Sequence, residues 1–176
     1  RLGRLVRLRR CKQDGIFPGG LDYSSDALDG MYSLYWSSSL VQIMYHVTTL
    51  MPNRAEDPSY VQKKRHTGND LVTIVYSDDE ADFDSDTIPG EFNNVHIIVY
   101  PLVRSVYKVV VKARPEVTAF GPLHRGTQIV PESSLAHLVR LTAIYATKAA
   151  AGTPHLLEMA QSHVDAWAAR LEQIDR

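Results

Sequence analysis

Apolar and polar residues alternate at the start of the chain, and this period of two predicts a β-strand with one apolar face over residues 4–10. A short aromatic run at 31–36 predicts a second strand. Three later runs rich in β-branched residues, at 71–76, 95–100 and 106–111, predict further strands. The runs at 71–76 and 95–100 are almost continuously apolar, which is typical of strands buried on both faces of a sheet.

Apolar residues at spacings of three and four predict three helices. The first follows the serines at 37–39 and stops before Pro52; its apolar stripe consists of Leu40, Ile43, Met44, Val47 and Met51. The second begins at residue 133 or 134 and ends at Gly152, and the third begins at Ser162. Interleaved strands and helices predict an α/β (α+β) fold, a single domain with a central mixed β-sheet flanked by helices.

Length and charge narrow the class of protein. The chain has 176 residues, 44% of them hydrophobic, which suits one globular domain. Its net charge of -1 predicts no nucleic-acid partner. Basic residues cluster at 1–12 and 63–65 and acidic residues at 78–86, a distribution that favours a charged protein partner.

The compartment is indicated by what the sequence lacks. No apolar run approaches the roughly 20 residues that span a bilayer, so no transmembrane segment is predicted. The single cysteine, Cys11, excludes an internal disulfide and favours a reducing, cytoplasmic compartment. Because the chain begins inside a patterned segment, we expect residues 1–176 to be one domain of a longer protein.

Common motifs for nucleotide binding and hydrolysis are absent: the phosphate-binding loop, the nucleophile elbow and the cysteine and histidine spacings of zinc sites. The acidic run at 82–86 resembles the start of a calcium loop, but Thr87 stands where that loop requires glycine. We therefore interpret it as a solvated surface loop and predict no metal site. Cys11 is predicted to be an inert thiol, and His46 and His96 to be structural.

The segment 63–70 reads Lys-Lys-Arg-His-Thr-Gly-Asn-Asp and precedes the run at 71–76 directly. Its residue types alone predict a charged turn, since Asn and Asp favour turns and Gly allows unusual backbone angles. The segment also resembles the Lys-Arg-His-x-Gly-Asn-Asp signature of the Rap/tuberin-type GTPase-activating domains.

The resemblance extends over most of the chain and favours the tuberin branch of that family. The similar stretches are residues 2–8, 19–22, 46–52, 74–76, 90–99 and 167–171, in that order. Similarity is strong from residue 1 to about residue 102 and weak from there to residue 152.

The resemblance implies an activator that supplies a catalytic asparagine, Asn69, as an "asparagine thumb" to a small Ras-like GTPase. The carboxamide would orient the attacking water, because its oxygen accepts and its nitrogen donates hydrogen bonds. The implied partner is Rheb, with Rap as the alternative, and hamartin would bind other parts of the full-length protein at cytoplasmic and lysosomal or endomembrane surfaces. The domain would hold no cofactor of its own, since GTP and magnesium are carried by the GTPase.

The neighbours of the thumb are assigned supporting roles. Lys63, Lys64 and Arg65 are expected to meet an acidic face of the GTPase or its phosphates, the alternative being a solvated basic turn. His66 is expected to position the thumb or to touch the partner.

Two further residues of the segment are expected to shape its backbone. Gly68 is expected to permit the turn that projects the thumb, and Asp70 to anchor the segment by accepting backbone hydrogen bonds. Two other functions stay open: a non-catalytic protein-binding module on the same fold, and an unrelated hydrolase that uses the acidic loop.

Overall fold

The structure is a computed structural model that describes residues 1–79, 81–87, 92–154 and 156–158. The strands are β1 (Arg4–Arg7), β2 (Tyr32–Ser37), β3 (Gln42–Tyr45), β4 (Val72–Tyr76), β5 (Val95–Pro101), β6 (Val106–Ala113) and β7 (Gly126–Pro131). The helices are α1 (Val61–Thr67) and α2 (Glu132–Ala151), with 3-10 turns at Leu8–Arg10, Thr48–Leu50 and Ser85–Thr87. The third predicted helix, which begins at Ser162, lies outside the described residues.

A mixed four-stranded sheet in the order β4-β5-β6-β7 forms the centre of the fold. β4 and β5 are parallel, and the remaining pairs are antiparallel. The helix α2 packs on this sheet, and the shared core contains Val95, Ile97, Val109, Val111, Val139, Ala146 and Ala150. The predicted fold class, a mixed sheet with helices, is confirmed.

The predicted burial on both faces holds for one of the two strands for which it was predicted. β5 is central and buried, as predicted, with Val95, Ile97 and Ile98 at 0% exposure. β4 is an edge strand whose residues are only half-buried, and Tyr76 is 65% exposed, so its predicted burial on both faces is wrong. A β-branched run favours a strand in either place and does not distinguish edge from centre.

A second, antiparallel sheet in the order β1-β2-β3 covers its own small core. That core consists of Val6, Leu8, Cys11, Ile16, Leu21, Tyr35 and Met51. The predicted apolar face of the first strand is confirmed at Val6, but the strand ends at Arg7, and the buried Leu8 begins a 3-10 turn instead of continuing it to residue 10. Arg140 of α2 joins this sheet to the rest of the fold: it donates hydrogen bonds to the carbonyl oxygens of Arg1 and Leu2 and lies 4.5 Å from the Trp36 ring.

The first predicted helix, over residues 40–51, is wrong, because this stretch forms β3 and a 3-10 turn. The Ser38 hydroxyl accepts from the backbone N–H groups of Leu40 and Val41, at 3.3 and 3.2 Å, as the side chain of a helix N-cap residue would. Its own N–H donates to the Val41 carbonyl at 2.8 Å, which closes a tight hairpin between β2 and β3. The available edge of β2 and the β-branched Val41 and Ile43 outweigh a helical spacing of apolar residues.

The second predicted helix is confirmed as α2, which ends at Ala151 with Gly152 as its C-cap. The strand β7 lies within residues 112–131, a stretch for which the sequence pattern predicted no element. No helix in the described parts of the chain combines the length and apolar character required to cross a membrane.

Candidate functional site

The signature segment forms the helix α1 and the exit from it, so the prediction of a charged turn is wrong. Both oxygens of the Asp57 carboxylate accept from the first helical N–H groups, those of Val61 and Gln62, each at 2.8 Å. The backbone hydrogen bonds from Gln62 and Val61 hold the pKa of Asp57 below its usual range. With seven residues α1 is too short to be stable alone, so tertiary contacts must hold it.

Asn69 lies just beyond the carboxyl end of α1 and is exposed to solvent. Its side-chain Nδ2 donates to the Arg65 carbonyl at 2.7 Å, and its backbone N–H donates to the His66 carbonyl at 3.0 Å. Since a carbonyl only accepts, the amide nitrogen must be the atom that faces the helix. Within the described residues Oδ1 accepts no hydrogen bond, so the oxygen is available to a donor from outside.

Gly68 has ordinary helical angles, φ -70 and ψ -20, and donates its N–H to the Lys64 carbonyl at 2.7 Å. The backbone conformation here does not itself require glycine, because residues with a side chain adopt these angles freely.

Asp70 anchors the segment through a partner that the sequence did not indicate. Its two carboxylate oxygens each lie 2.9 Å from Nδ1 of His46, whereas backbone N–H groups were expected. Nε2 of the same ring lies 2.8 Å from the carbonyl oxygen of Gly19. His46 therefore belongs to the site, and the only sequence signal for it was its place within the similar stretch at 46–52.

A buried carboxylate, Asp29, holds the last turn of α1 and was missed by the sequence analysis. Its side chain is 1% exposed. Nη2 of Arg65 lies 3.1 and 3.0 Å from the two carboxylate oxygens of Asp29. Nε2 of His66 lies 2.9 Å from Oδ2 of the same carboxylate. The backbone N–H of Asp22 donates to this Oδ2 at 2.7 Å. An aspartate before a glycine and a strand is an ordinary turn pattern, so the sequence carried no signal for this role.

Gly30 makes the position of Asp29 possible. Its φ of +94 lies in a region that residues with a side chain rarely adopt, and an added Cβ would collide with the Leu50 carbonyl oxygen. The loop before β2 can therefore approach the 3-10 turn at Thr48–Leu50 only with glycine here.

The three cations of the signature point to different places. Lys63 Nζ donates to the Thr48 carbonyl at 3.0 Å and lies 5.9 Å from the Tyr60 ring centre. Arg65 is bound to Asp29, although its side chain remains 43% exposed. Lys64 is exposed, and its side chain makes no hydrogen bond or ion pair within the part of the chain that the structure describes.

The electrostatics of the site favour a charged His46. Burial opposes protonation of the ring, but the hydrogen bond and charge of Asp70, the Gly19 carbonyl and the charge of Asp29 outweigh it. The net effect raises the pKa of His46 above its ordinary value. The rings of His46 and His66 lie 4.9 Å apart between their centres, so the two histidines and two aspartates form one connected cluster.

Other residues singled out by their type lie apart from this cluster. Cys11 is fully buried, and desolvation followed by the charge of Asp14 raises the pKa of its thiol, as expected of an inert cysteine. His96 is buried in β5 and lies 6.2 Å from the Phe83 ring. Among the residues described, no group of three or more His, Cys, Asp or Glu is arranged to hold a metal ion.

Comparison with known proteins identifies relatives of the whole chain. The family model described as Rap/ran-GAP matches residues 1–176. The Tuberous sclerosis 2 protein homolog of Schizosaccharomyces pombe is 36% identical over 186 residues, which cover 99% of this chain and 13% of that protein. The human Ral GTPase-activating protein subunit alpha-1 is 39% identical over 133 residues, 76% of this chain and 6% of that protein.

A solved structure shares the fold as well as the sequence. Superposition of this chain on the structure of the TSC2 GAP domain gives a TM-score of 0.73, and the two sequences are 34% identical. The match covers 85% of this chain and 78% of that one. The chain thus spans a small part of the length of its curated relatives and most of a solved domain. The chain belongs to the Rap/ran-GAP family.

Proposed function

We propose that this chain accelerates GTP hydrolysis by a small Ras-like GTPase, and that Asn69 supplies the catalytic group. Family membership supports the activity, and the placement of Asn69 carries the assignment of the residue. The side chain is exposed at the end of α1, held by its nitrogen and open at its oxygen.

The anchored carboxamide suits the orientation of a water molecule. Nδ2 stays bound to the Arg65 carbonyl, which fixes the direction of Oδ1, and Oδ1 can accept a hydrogen bond from the water that attacks the γ-phosphate. The intrinsic glutamine of Ras-like GTPases orients water in the same way, and this requires no proton transfer by the amide. GTP and magnesium are bound by the GTPase, so the domain alone hydrolyses no GTP.

Rheb is the GTPase that we propose as substrate, because the matches to tuberin-type proteins cover nearly the whole chain. Rap and Ral are the alternatives, Ral because relatives of similar identity are named as Ral GTPase-activating subunits. Through regions of the full-length protein outside this domain, we propose association with hamartin and action at lysosomal or other endomembrane surfaces.

Single-turnover hydrolysis of GTP bound to purified Rheb, Rap or Ral tests the proposal, with the domain added as wild type, Asn69→Ala or Asn69→Asp. Both variants should keep the fold and lose on the order of 10²-fold or more in acceleration, because the positioning group is removed or made repulsive to phosphate. The matched control is Asn53→Ala, which removes another exposed asparagine and should act as wild type.

The outcomes separate the hypotheses. Acceleration of Rheb that is lost with Asn69→Ala supports activity, residue and partner together, whereas acceleration of only Rap or Ral refutes the choice of partner. Full activity in folded Asn69→Ala refutes the thumb. Tight binding of a GTPase without acceleration by the wild type would establish a non-catalytic binding module instead.

A further inference from the structure

His46 joins the residue that follows Asn69 to a separate part of the chain. Nδ1 lies 2.9 Å from both oxygens of Asp70, the residue after Asn69, and Nε2 lies 2.8 Å from the carbonyl oxygen of Gly19. The side chain is 14% exposed, so water replaces these contacts poorly.

Both partners of the ring can only accept hydrogen bonds. A carboxylate oxygen and a backbone carbonyl have no proton to donate, so each ring nitrogen must carry one for both contacts to form. Only the doubly protonated imidazolium meets this condition. A neutral ring satisfies one partner and turns a bare nitrogen toward the other acceptor, which costs the second contact.

The charged groups around His46 come from three parts of the chain. Asp70 faces it from the segment after α1, and Asp29 faces it from the loop before β2. The ring of His66 packs against it from α1, and the Arg65 guanidinium is bound to Asp29 and to Nε2 of His66. The charges of Asp70 and Asp29 favour the protonated ring, and the raised pKa of His46 agrees with the proton count that the contacts require.

We propose that His46 acts as an imidazolium to hold Asp70, and through it the catalytic Asn69, in place, so that acceleration falls when this ring loses a proton. His46 is a positioning residue here, since it touches the segment and not the reacting atoms. The inference rests on the proposed function of Asn69.

The first test measures the protons directly and uses no GTPase. Nitrogen-15 NMR spectra of the wild-type domain follow the imidazole from about pH 5.5 to about pH 8.5, with His46 assigned by its loss in His46→Gln. We expect both nitrogens of His46 to carry protons at about pH 7 and one proton to leave at higher pH. A ring that is mainly neutral at about pH 7 would overturn the proposal.

The second test is the acceleration of single-turnover hydrolysis across the same pH range, expressed at each pH as the ratio of wild type to His46→Gln. The ratio cancels the pH dependence of the GTPase itself. We expect a ratio on the order of 10 or more at the acidic end, because a displaced positioning segment costs that much, falling toward 1 at the alkaline end. His137→Gln, which removes an exposed histidine on α2, should match wild type throughout.

The results distinguish failure of this inference from failure of the proposed function. Acceleration by wild type with a ratio that does not change with pH overturns the role of His46 alone. No acceleration of any GTPase by wild type overturns the proposed function, and the positioning role falls with it. If His46→Gln does not fold, Asp70→Asn replaces it, and should lower the pH at which the ring loses its proton.

Discussion

Replacing Asp29 with alanine should destabilise the domain more than any exposed acidic substitution. The carboxylate is 1% exposed, accepts from Arg65 and from the Asp22 N–H, and lies 2.9 Å from Nε2 of His66. With alanine these groups lose a shared partner inside the protein, and the last turn of α1 loses its attachment to the loop before β2.

The magnitude follows from how easily each donor finds water. Arg65 is 43% exposed and can turn outward, so its pair with Asp29 contributes at most about 1 kcal/mol. The Asp22 N–H is less able to do so, and a hydrogen bond to a charged group contributes about 1.5–3 kcal/mol. The expected loss is about 2–4 kcal/mol, or a fall of about 4–16 °C in melting temperature for a domain of this size.

Urea and thermal unfolding followed by circular dichroism measure the loss, with Asp26→Ala as the matched control. Asp26 lies in the same loop and is exposed, so its variant should unfold within about 0.5 kcal/mol of wild type. Equal unfolding midpoints for the two alanine variants would refute the structural reasoning about Asp29. Asp29→Asn, which keeps the shape and one acceptor oxygen, should lie between them.

Four further predictions use other parts of the structure. Gly30→Ala should lower the free energy of unfolding by about 2 kcal/mol or more in urea titrations, because of its φ of +94 and the contact of an added Cβ with Leu50; an unchanged midpoint would contradict it. Lys64→Ala should leave the melting temperature unchanged and weaken GTPase binding, with the difference from wild type shrinking as salt is added; an effect independent of salt would argue against charge. The raised pKa of His46 should stabilise the fold fully below about pH 6.5, a contribution lost as pH rises through the raised value; His46→Gln and wild type should therefore differ in urea midpoint at acidic pH and converge at alkaline pH. Cys11 should react with an aromatic disulfide reagent only after the domain is unfolded, since it is buried with a raised pKa; rapid labelling of the native domain would show otherwise.

The elements that sequence patterns predicted correctly are those decided by local preference. The 20-residue helix α2 shows several turns of an apolar stripe, and β5 is a β-branched run that packs in the centre of a sheet. The stretch at 40–51 failed because its apolar spacing fits a helix while its neighbour β2 offers a strand partner. That choice depends on a hairpin turn at Ser38, which period counting does not weigh.

The candidate site was located from the sequence through its resemblance to a family, but its supporting contacts were not. Arg65 and Asp29 are 36 positions apart, and His46 is 24 from Asp70 and 27 from Gly19. Pairs at such separations leave no periodic signal, because the loops between them can take many lengths and paths. The structure therefore adds the residues that hold Asn69, while the identity of Asn69 as the candidate was available beforehand.

The residues of the signature segment differ in what they contact because α1 is short. Two turns of helix bury little more than His66 and Thr67, too little apolar surface to hold the helix in place. Polar contacts hold it instead, since Lys63 and Arg65 are committed to Thr48 and Asp29. Substituting either of these cations should thus change stability and activity together, whereas Lys64 and Asn69 face solvent and can be changed at little structural cost. Of the residues in this basic segment, these last two are therefore the ones whose mutation separates the proposed roles in recognition and catalysis from folding.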